Sequence, residues 1–419
     1  MALNLPLRKI STEGWWPNTY DVLVYQEGGH VYAKDKNGNI ICRDSTTSCI
    51  QESINYVGSG KVYIKGGIYN ISSTIKISGS NIRIYGDAVL SAPSDVTVIN
   101  IDKSVDVHIE GIAISGGQHG ILITNSQKVL VKDVKVSGSS LYGIYVYDSS
   151  LVDLTENYVE NTQQCGIAIE SYSYDIYGIH VRNNKIISAG VSKQACSDGI
   201  HIENHKTISD VDVSGNYVAK AGRAGISVLA VQRISIRDNT IIESGTDGIV
   251  IVATLYSEIV GNIVVGSGKN NVAGYQNGIR IDDPGVTPAS QYNIIAKNMI
   301  INNPGQAVVE RGSANYNVII DNITVNNGTP QIIKAGANTV VINDVGYVTK
   351  ASGRATIPAN ATSVTVNHGL SCTPSKVLVT PLNQPPGSIW VSNITATSFY
   401  INVSAAPATD LPVAWYAEC

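Results

Sequence analysis

The chain has 419 residues, with 29 Lys and Arg against 33 Asp and Glu and a formal net charge of −4. Only 15% of residues are charged and no Lys/Arg run occurs, which excludes the basic footprint of a nucleic-acid binder and a polybasic membrane patch. No stretch approaches the ~18 apolar residues of a spanning helix, so no membrane insertion is expected. Aromatic usage is 22 Tyr and 4 Trp to 1 Phe amid much Ile, Val, Gly and Asn, a β composition with wet aromatic surfaces.

At the N-terminus, MALNLPLRKI lacks the apolar core and cleavage site of a secretory signal. An extracellular or virion-surface location is then expected through a removed leader or another export route. Residues 1–45 read as an N-terminal segment in which VYAKDKNGNII carries an Asn-Gly hairpin signal. The following SCIQESINYV predicts a helix, with a Ser48/Gln51 capping box and Ile50, Ile54 and Val57 on one face.

Residues 46–347 are built on a repeated word. GILI begins at 120, GIYV at 143, GIAI at 166, GIHI at 199, GISV at 225, GIVI at 248 and GIRI at 278, with AVVE at 307 a degenerate copy. Gly120 to Gly143, Gly143 to Gly166 and Gly225 to Gly248 are each 23 residues apart. A period of that length, holding two or three short β runs, predicts one coil of a parallel β-solenoid per unit. A second landmark is Asn157, Asn184, Asn216, Asn239, Asn262, Asn298 and Asn322, each between two apolar runs. Asn tolerates the left-handed backbone of a sharp corner, and stacked Asn side chains can bond along a ladder. Asn322 also heads a glycosylation sequon, and its place in the ladder predicts that it is buried.

With these landmarks, residues 30 to 345 resemble the right-handed parallel β-helix proteins of the pectate-lyase and polygalacturonase superfamily. KVYIKGGIYNISSTIKI is similar to the first coil of that superfamily, and the 48–57 helix would plug the open end of the solenoid. Residues 351–419 break the period and alternate as ATSVTVNHG, SKVLVTPL, SIWVSN, SFYINVSA and PVAWYAE. Their order and terminal aromatic strand resemble an H-type-lectin-like β-sandwich, a small domain that assembles as trimers, which implies a homotrimer. The expected fold is therefore all-β: a right-handed single-stranded parallel β-helix with an N-terminal capping helix and a small C-terminal antiparallel β-sandwich.

Six cysteines fall into neighbouring pairs, Cys42 with Cys49, Cys165 with Cys196 and Cys372 with Cys419. An even count in a low-charge β chain predicts disulfides, formed in an oxidising setting or a hyperthermophile. No CxxC or Cys/His spacing suggests zinc, so neither a metal nor a cofactor is expected.

In each G-I-x-I word the Ile positions face inward, which turns the residue before Gly, the x and the residue after the word outward. Those columns bring Asp198, His201 and Glu203 side by side, with Glu170 one coil away. Tyr142, Tyr145 and Tyr147 pave one end of the strip, and Asp247, Arg280 and Asp282 lie towards the other. Glu170 and Glu203 should stack ~4.8 Å apart, so one is expected to be neutral or matched by a cation such as protonated His201. Insertions near 171–174, 189–197, 204–207, 267–276 and 283–290 flank the strip and predict the walls of a groove. His119, His180 and His205 read as lone surface histidines.

Paired carboxylates in a groove point to glycoside hydrolysis, with Asp198, Glu203, Glu170, His201 and Asp247 as catalytic candidates. Tyr142, Tyr145, Tyr147, Arg280 and Asp282 are the substrate-binding candidates. Inversion needs carboxyls ~6.5–9.5 Å apart and retention ~5–5.5 Å, and the sequence leaves both open. SDGIHI is similar to the Asn-Thr-Asp-Gly word of polygalacturonases, which implies a catalytic Asp198. The chain departs from it at Cys196, in AGRAG where paired aspartates would follow, and in lacking Gly-His-Gly. A lyase would use Arg280, His201 or a tyrosine as base. Alternatives outside catalysis are a virion tail-spike or adhesive fibre binding a cell-surface glycan through residues 351–419, and a filament subunit. The expected partner is a polysaccharide or cell-surface glycan, not nucleic acid.

Overall fold

The computed structural model describes residues 20–192, 196–283, 285 and 289–419; the leader reading of residues 1–10 lies outside them. Among the described residues, three mostly parallel sheets of fifteen, eleven and eleven strands wind into a solenoid. The G-I-x-I words supply one eleven-stranded sheet, here the word sheet, including strands Ile144–Tyr147, Ile167–Ser171, Ile200–Asn204 and Ile226–Leu229. Their inward residues, such as Ile167, Ile169, Ile200 and Ile202, are fully buried in one continuous core. Each removes from water a side chain worth about 1.5–3 kcal/mol, so every coil adds its own increment of stability. The word's glycine answers to space: a Cβ on Gly199 would lie 2.6 Å from the Gly225 carbonyl oxygen and collide with Val218.

The Asn ladder forms as expected, with one difference. From Asn157 to Asn298, each Oδ1 accepts from the coil before it and each Nδ2 donates to the next ladder side chain, as in Asn216 Nδ2 to Asn239 Oδ1 at 2.9 Å. The left-handed residue at the corner is the one before the ladder Asn: Glu156, Asn183, Gly215, Asp238, Gly261, Lys297 and Asp321. Asn322 is buried, and Asp344 ends the row.

The hairpin of Val22–Glu27 with His30–Asp35 and Ile40–Asp44 extends the fifteen-stranded sheet at its first edge. Its Asn-Gly turn is held by Asp35, whose carboxylate accepts from the N–H groups of Asn37 and Asn39 at 2.9 and 2.8 Å. Helix Ser48–Val57 buries Cys49, Ile50, Ser53 and Ile54 against the first strands. The capping box does not form. Ser48 donates to Asp44 at 2.7 Å, and the Gln51 amide bridges the N–H and carbonyl of Lys76 at 2.7 and 3.0 Å. The backbone of the first word-sheet strand, Ile75–Ile77, is otherwise an unpaired edge, and it takes the side chain from the helix end.

Residues 350–418 form two three-stranded antiparallel sheets over a separate core of Phe399, Ile357, Ile401 and Val413. All five expected strands are present. A sixth, Lys350–Ile357, escaped the sequence reading because its KASGRATI lacks a β-rich alternation. The three predicted cysteine pairs are disulfides.

Candidate functional site

The strip lies on the outer face of the word sheet, and register alone assembles it. Tyr145 pairs with Ala168 and Ala168 with His201, while Tyr147 pairs with Glu170 and Glu170 with Glu203. Loops at 172–175 and 205–207 leave the word strands on one side, and 188–199 enters them on the other. The insertions expected at 267–276 and 283–290 fall between strands, within 266–278 and 283–293, and residues 193–195, 284 and 286–288 lie outside the described ones.

His201 sits at the centre. Its Nδ1 meets Asp198 Oδ2 at 3.0 Å and its Nε2 meets Glu203 Oε2 at 3.1 Å. Burial alone would strip its proton, but the hydrogen bonds and charges of Asp198 and Glu203 prevail and hold its pKa up at about 9. The same contact, aided by the charges of His205 and Arg223, holds Glu203 below the usual carboxylate range. A protonated His201 thus pairs with Glu203, one member of the expected carboxylate stack, and with Asp198. Glu170 takes a different partner, accepting the Tyr145 hydroxyl at 2.7 Å. Burial first, and that bond second, push the Tyr145 phenol well above its ordinary value. Burial and the nearby glutamates raise Tyr142 to about 12.

The strip is far less solvated than its outward direction implied. Asp198 is 1% exposed, and its second oxygen accepts the Ala224 N–H at 2.9 Å. It therefore lies beneath His201, behind any surface a substrate could touch. The disulfide Cys165–Cys196 forms the floor, with the Asp198 N–H donating to Cys165 Sγ at 3.2 Å. Glu203 is the open member, its side chain 33% exposed.

Asp247, two coils from His201 along the register, and Arg280 and Asp282, three coils away, form a separate cluster ~10–14 Å off at the usual strand spacing. Asp247 accepts from Arg280 Nε at 2.7 Å and from Asn277 N and Nδ2 at 3.0 and 2.7 Å, and Arg280 also binds Asp282. Fully buried and engaged by three donors, Asp247 is shielded from the groove.

The histidines expected to be lone are partnered. His119 is buried and stacked on Tyr142, and burial lowers its pKa to about 4; His180 pairs with Asp153 at 2.7 Å. His205 stacks on Tyr172 at 4.1 Å, and Tyr172 on Tyr147 at 5.2 Å. Rings therefore run from His119 through Tyr142, Tyr145, Tyr147 and Tyr172 to His205. Tyr172 and His205 went unassigned in the sequence because they stand on inserted loops, although the loops themselves were the signal.

Among the described residues, two donor groups have metal-ligand spacing. In one, Cys165 and Cys196 are bonded to each other and cannot act as thiolates. In the other, donor atoms of Glu170, His201 and Glu203 lie within 4.8 Å of one another, a set that suits a borderline divalent cation.

Two family models match the chain in part. One, described as periplasmic copper-binding protein (NosD), covers residues 37–229, and one described as right handed beta helix region covers residues 177–345. The chain is a right-handed parallel β-helix protein. The catalytic unit of a thermostable α-1,3-glucanase from Streptomyces thermodiastaticus aligns with this β-helix at a TM-score of 0.58 and 14% identity, over 71% of this chain and 65% of that one. The A-module of the mannuronan C-5 epimerase of Azotobacter vinelandii aligns at 0.51 and 15%, over 70% and 95%. A tailspike protein of a Pseudomonas phage aligns at 0.51 and 12%, over 84% and 67%. No curated protein sequence matches it significantly. Copper(I) is held by thiolate and thioether sulfur, and the site's sulfurs are locked in a disulfide, so the β-helix groove does not fit that ion.

Proposed function

We propose that this β-helix binds a polysaccharide along the word-sheet groove and hydrolyses it with Glu203 and Glu170. The observation that carries the reading is their spacing: carboxylate oxygens of the two residues lie within 4.8 Å of each other, near the separation of a retaining pair and short of an inverting one. Glu203, kept ionised and open to the groove, attacks the anomeric carbon as the glycosidic C–O bond breaks. Glu170 gives its proton to the departing oxygen, then takes one from the water that cleaves the glycosyl ester. Asp198 and His201 act as positioning residues for Glu203, and Tyr145 orients Glu170. Tyr142, Tyr147 and Tyr172 offer rings on which sugars can stack.

The lyase alternative requires a base, and the three candidates are poorly disposed for it. His201 and Tyr145 hold their protons near neutral pH, and Arg280 is tied to two aspartates. Structural neighbours named for glucan and mannuronan chemistry support a glycan as the occupant. Three disulfides support an oxidising, extracellular setting, and no helix among the described residues is long and apolar enough to cross a membrane.

The test is reducing-end release from neutral and acidic polysaccharides, with ultraviolet absorbance of unsaturated uronates in parallel. Glu203→Gln and Glu170→Gln should each lower kcat at least 100-fold while binding persists, and the first-formed anomer should retain configuration. Unsaturated product would make the protein a lyase. Binding without cleavage of any polymer would favour a receptor-binding spike, a reading to which the exposed Trp390 and Tyr400 of the C-terminal sheets lend an observation.

A further inference from the structure

A solenoid repeats its environment coil after coil, so a column of outward residues should keep one chemical character unless something else covers it. Two columns change character at the same height. On the smaller sheet that does not carry the words, the register opens on Ile68, Val89 and Ala113, runs through Lys135, Tyr158, Lys185, Tyr217 and Thr240, and then turns to Ile263, Met299, Ile323 and Val345. On the fifteen-stranded sheet it runs Asp153, His180, Asp212, Ser235 and Glu258, then Ile294, Val318 and Val340. Inward positions stay aliphatic on both sides of the change except at Thr324, so the switch belongs to the surface and not to the core.

The two apolar runs meet around the Asn corner, Ile294 and Met299 being five residues apart in one coil. Ile263, Met299, Ile323, Val325, Val345, Ile294, Val340 and Ile342 each leave 39% or more of their surface exposed. Together that is on the order of 600 Å², the upper end for the largest apolar patch of a soluble monomer. It is also most of the ~800 Å² that one partner gives to a stable interface. In the same coils the word sheet's outward column passes from Arg280 to Val309 and Ile333, with Val309 buried, and upstream that sheet carries the candidate groove.

We propose that this two-faced apolar surface, from Ile263 to Val345, packs against the same surface of other copies of the chain in a closed homo-oligomer. Each copy carries the whole patch, so a rotational assembly covers all copies at once and leaves none exposed. It also turns the third face outward, so the groove stays open to a long polymer.

Sedimentation equilibrium and light scattering on the full chain at tens of micromolar test the proposal. The expected result is a fixed oligomer that Met299→Lys with Val340→Lys reduces to the 44.5 kDa monomer, with the thermal midpoint of the monomer's β-helix little changed. Val345→Glu, at a side chain already more than half exposed, is a second route should the double variant fold poorly. Tyr217→Lys, in the polar part of the same column, should leave the assembly intact. A monomeric wild-type chain, or an oligomer that survives every charged variant of the patch, would overturn the proposal.

Discussion

Asp344 ends the ladder with a carboxylate where each coil from Asn157 to Asn322 has an amide. Its Oδ1 does the ladder's work, accepting from Asn322 N and Nδ2 at 2.8 and 2.7 Å. Its Oδ2 is buried without a partner, and in the register it falls where an amide would donate to the Ile319 carbonyl, as Asn322 does to Ile295. Burial raises its pKa to about 6, so folding takes up a proton. That contribution is complete below the unfolded value near 3.8 and is lost as pH rises through about 6. Asp344→Asn should remove this slope and stabilise the last coils by on the order of 1–2 kcal/mol at pH 8, with little effect at pH 4, as read by melting across pH. At this scale the sequence was legible wherever a residue type met one demand. It correctly brought Asp198, His201 and Glu203 together, but not their roles, because alternation gives direction and says nothing of what loops and a disulfide lay over it. Its neighbours in sequence suggest a catalytic Asp198, whereas its burial beneath His201 supports the positioning role proposed above.

At the scale of the element, the ladder shows how corners are specified. Asn239 accepts from Asn216 N and Nδ2 and donates to Val213 O and Asn262 Oδ1, all within 2.9 Å. Asn239→Ala would leave several of these buried groups unpaired, at about 1–3 kcal/mol each. The expected outcome is a loss of about 3–5 kcal/mol, accompanied by faster hydrogen exchange in the two adjacent coils than at either end. The word glycines and ladder asparagines could be read from sequence because steric room and amide geometry admit few alternatives. The helix cap could not, since Gln51 found its partner 25 residues away at Lys76, beyond any local pattern. Strand Lys350–Ile357 was missed for a related reason: pairing with Leu411–Glu418 at the far end of the chain, not its own alternation, makes it a strand.

At the scale of the molecule, one disulfide links scaffold to chemistry. Cys165 stands before one word and Cys196 near the next, so their bond ties the 188–199 loop to the coil that presents Glu170. Replacing both by Ala should cost the β-helix little, because its core does not depend on that loop. Cleavage should fall at least tenfold, since displacing reacting groups by an ångström can cost ~100-fold. Equal activity in the double variant would show that the floor of the groove does not position Asp198. The word sheet also has a consequence for size. Its aromatic end and its Arg280 end are separated by a whole number of coils, each one strand spacing deep. The solenoid is therefore a ruler graduated in steps of ~4.8 Å. Duplicating or deleting one 23-residue coil between Gly225 and Gly248 would move the two ends by one graduation while leaving the side chains of each untouched, so the distance between them can change only by integers.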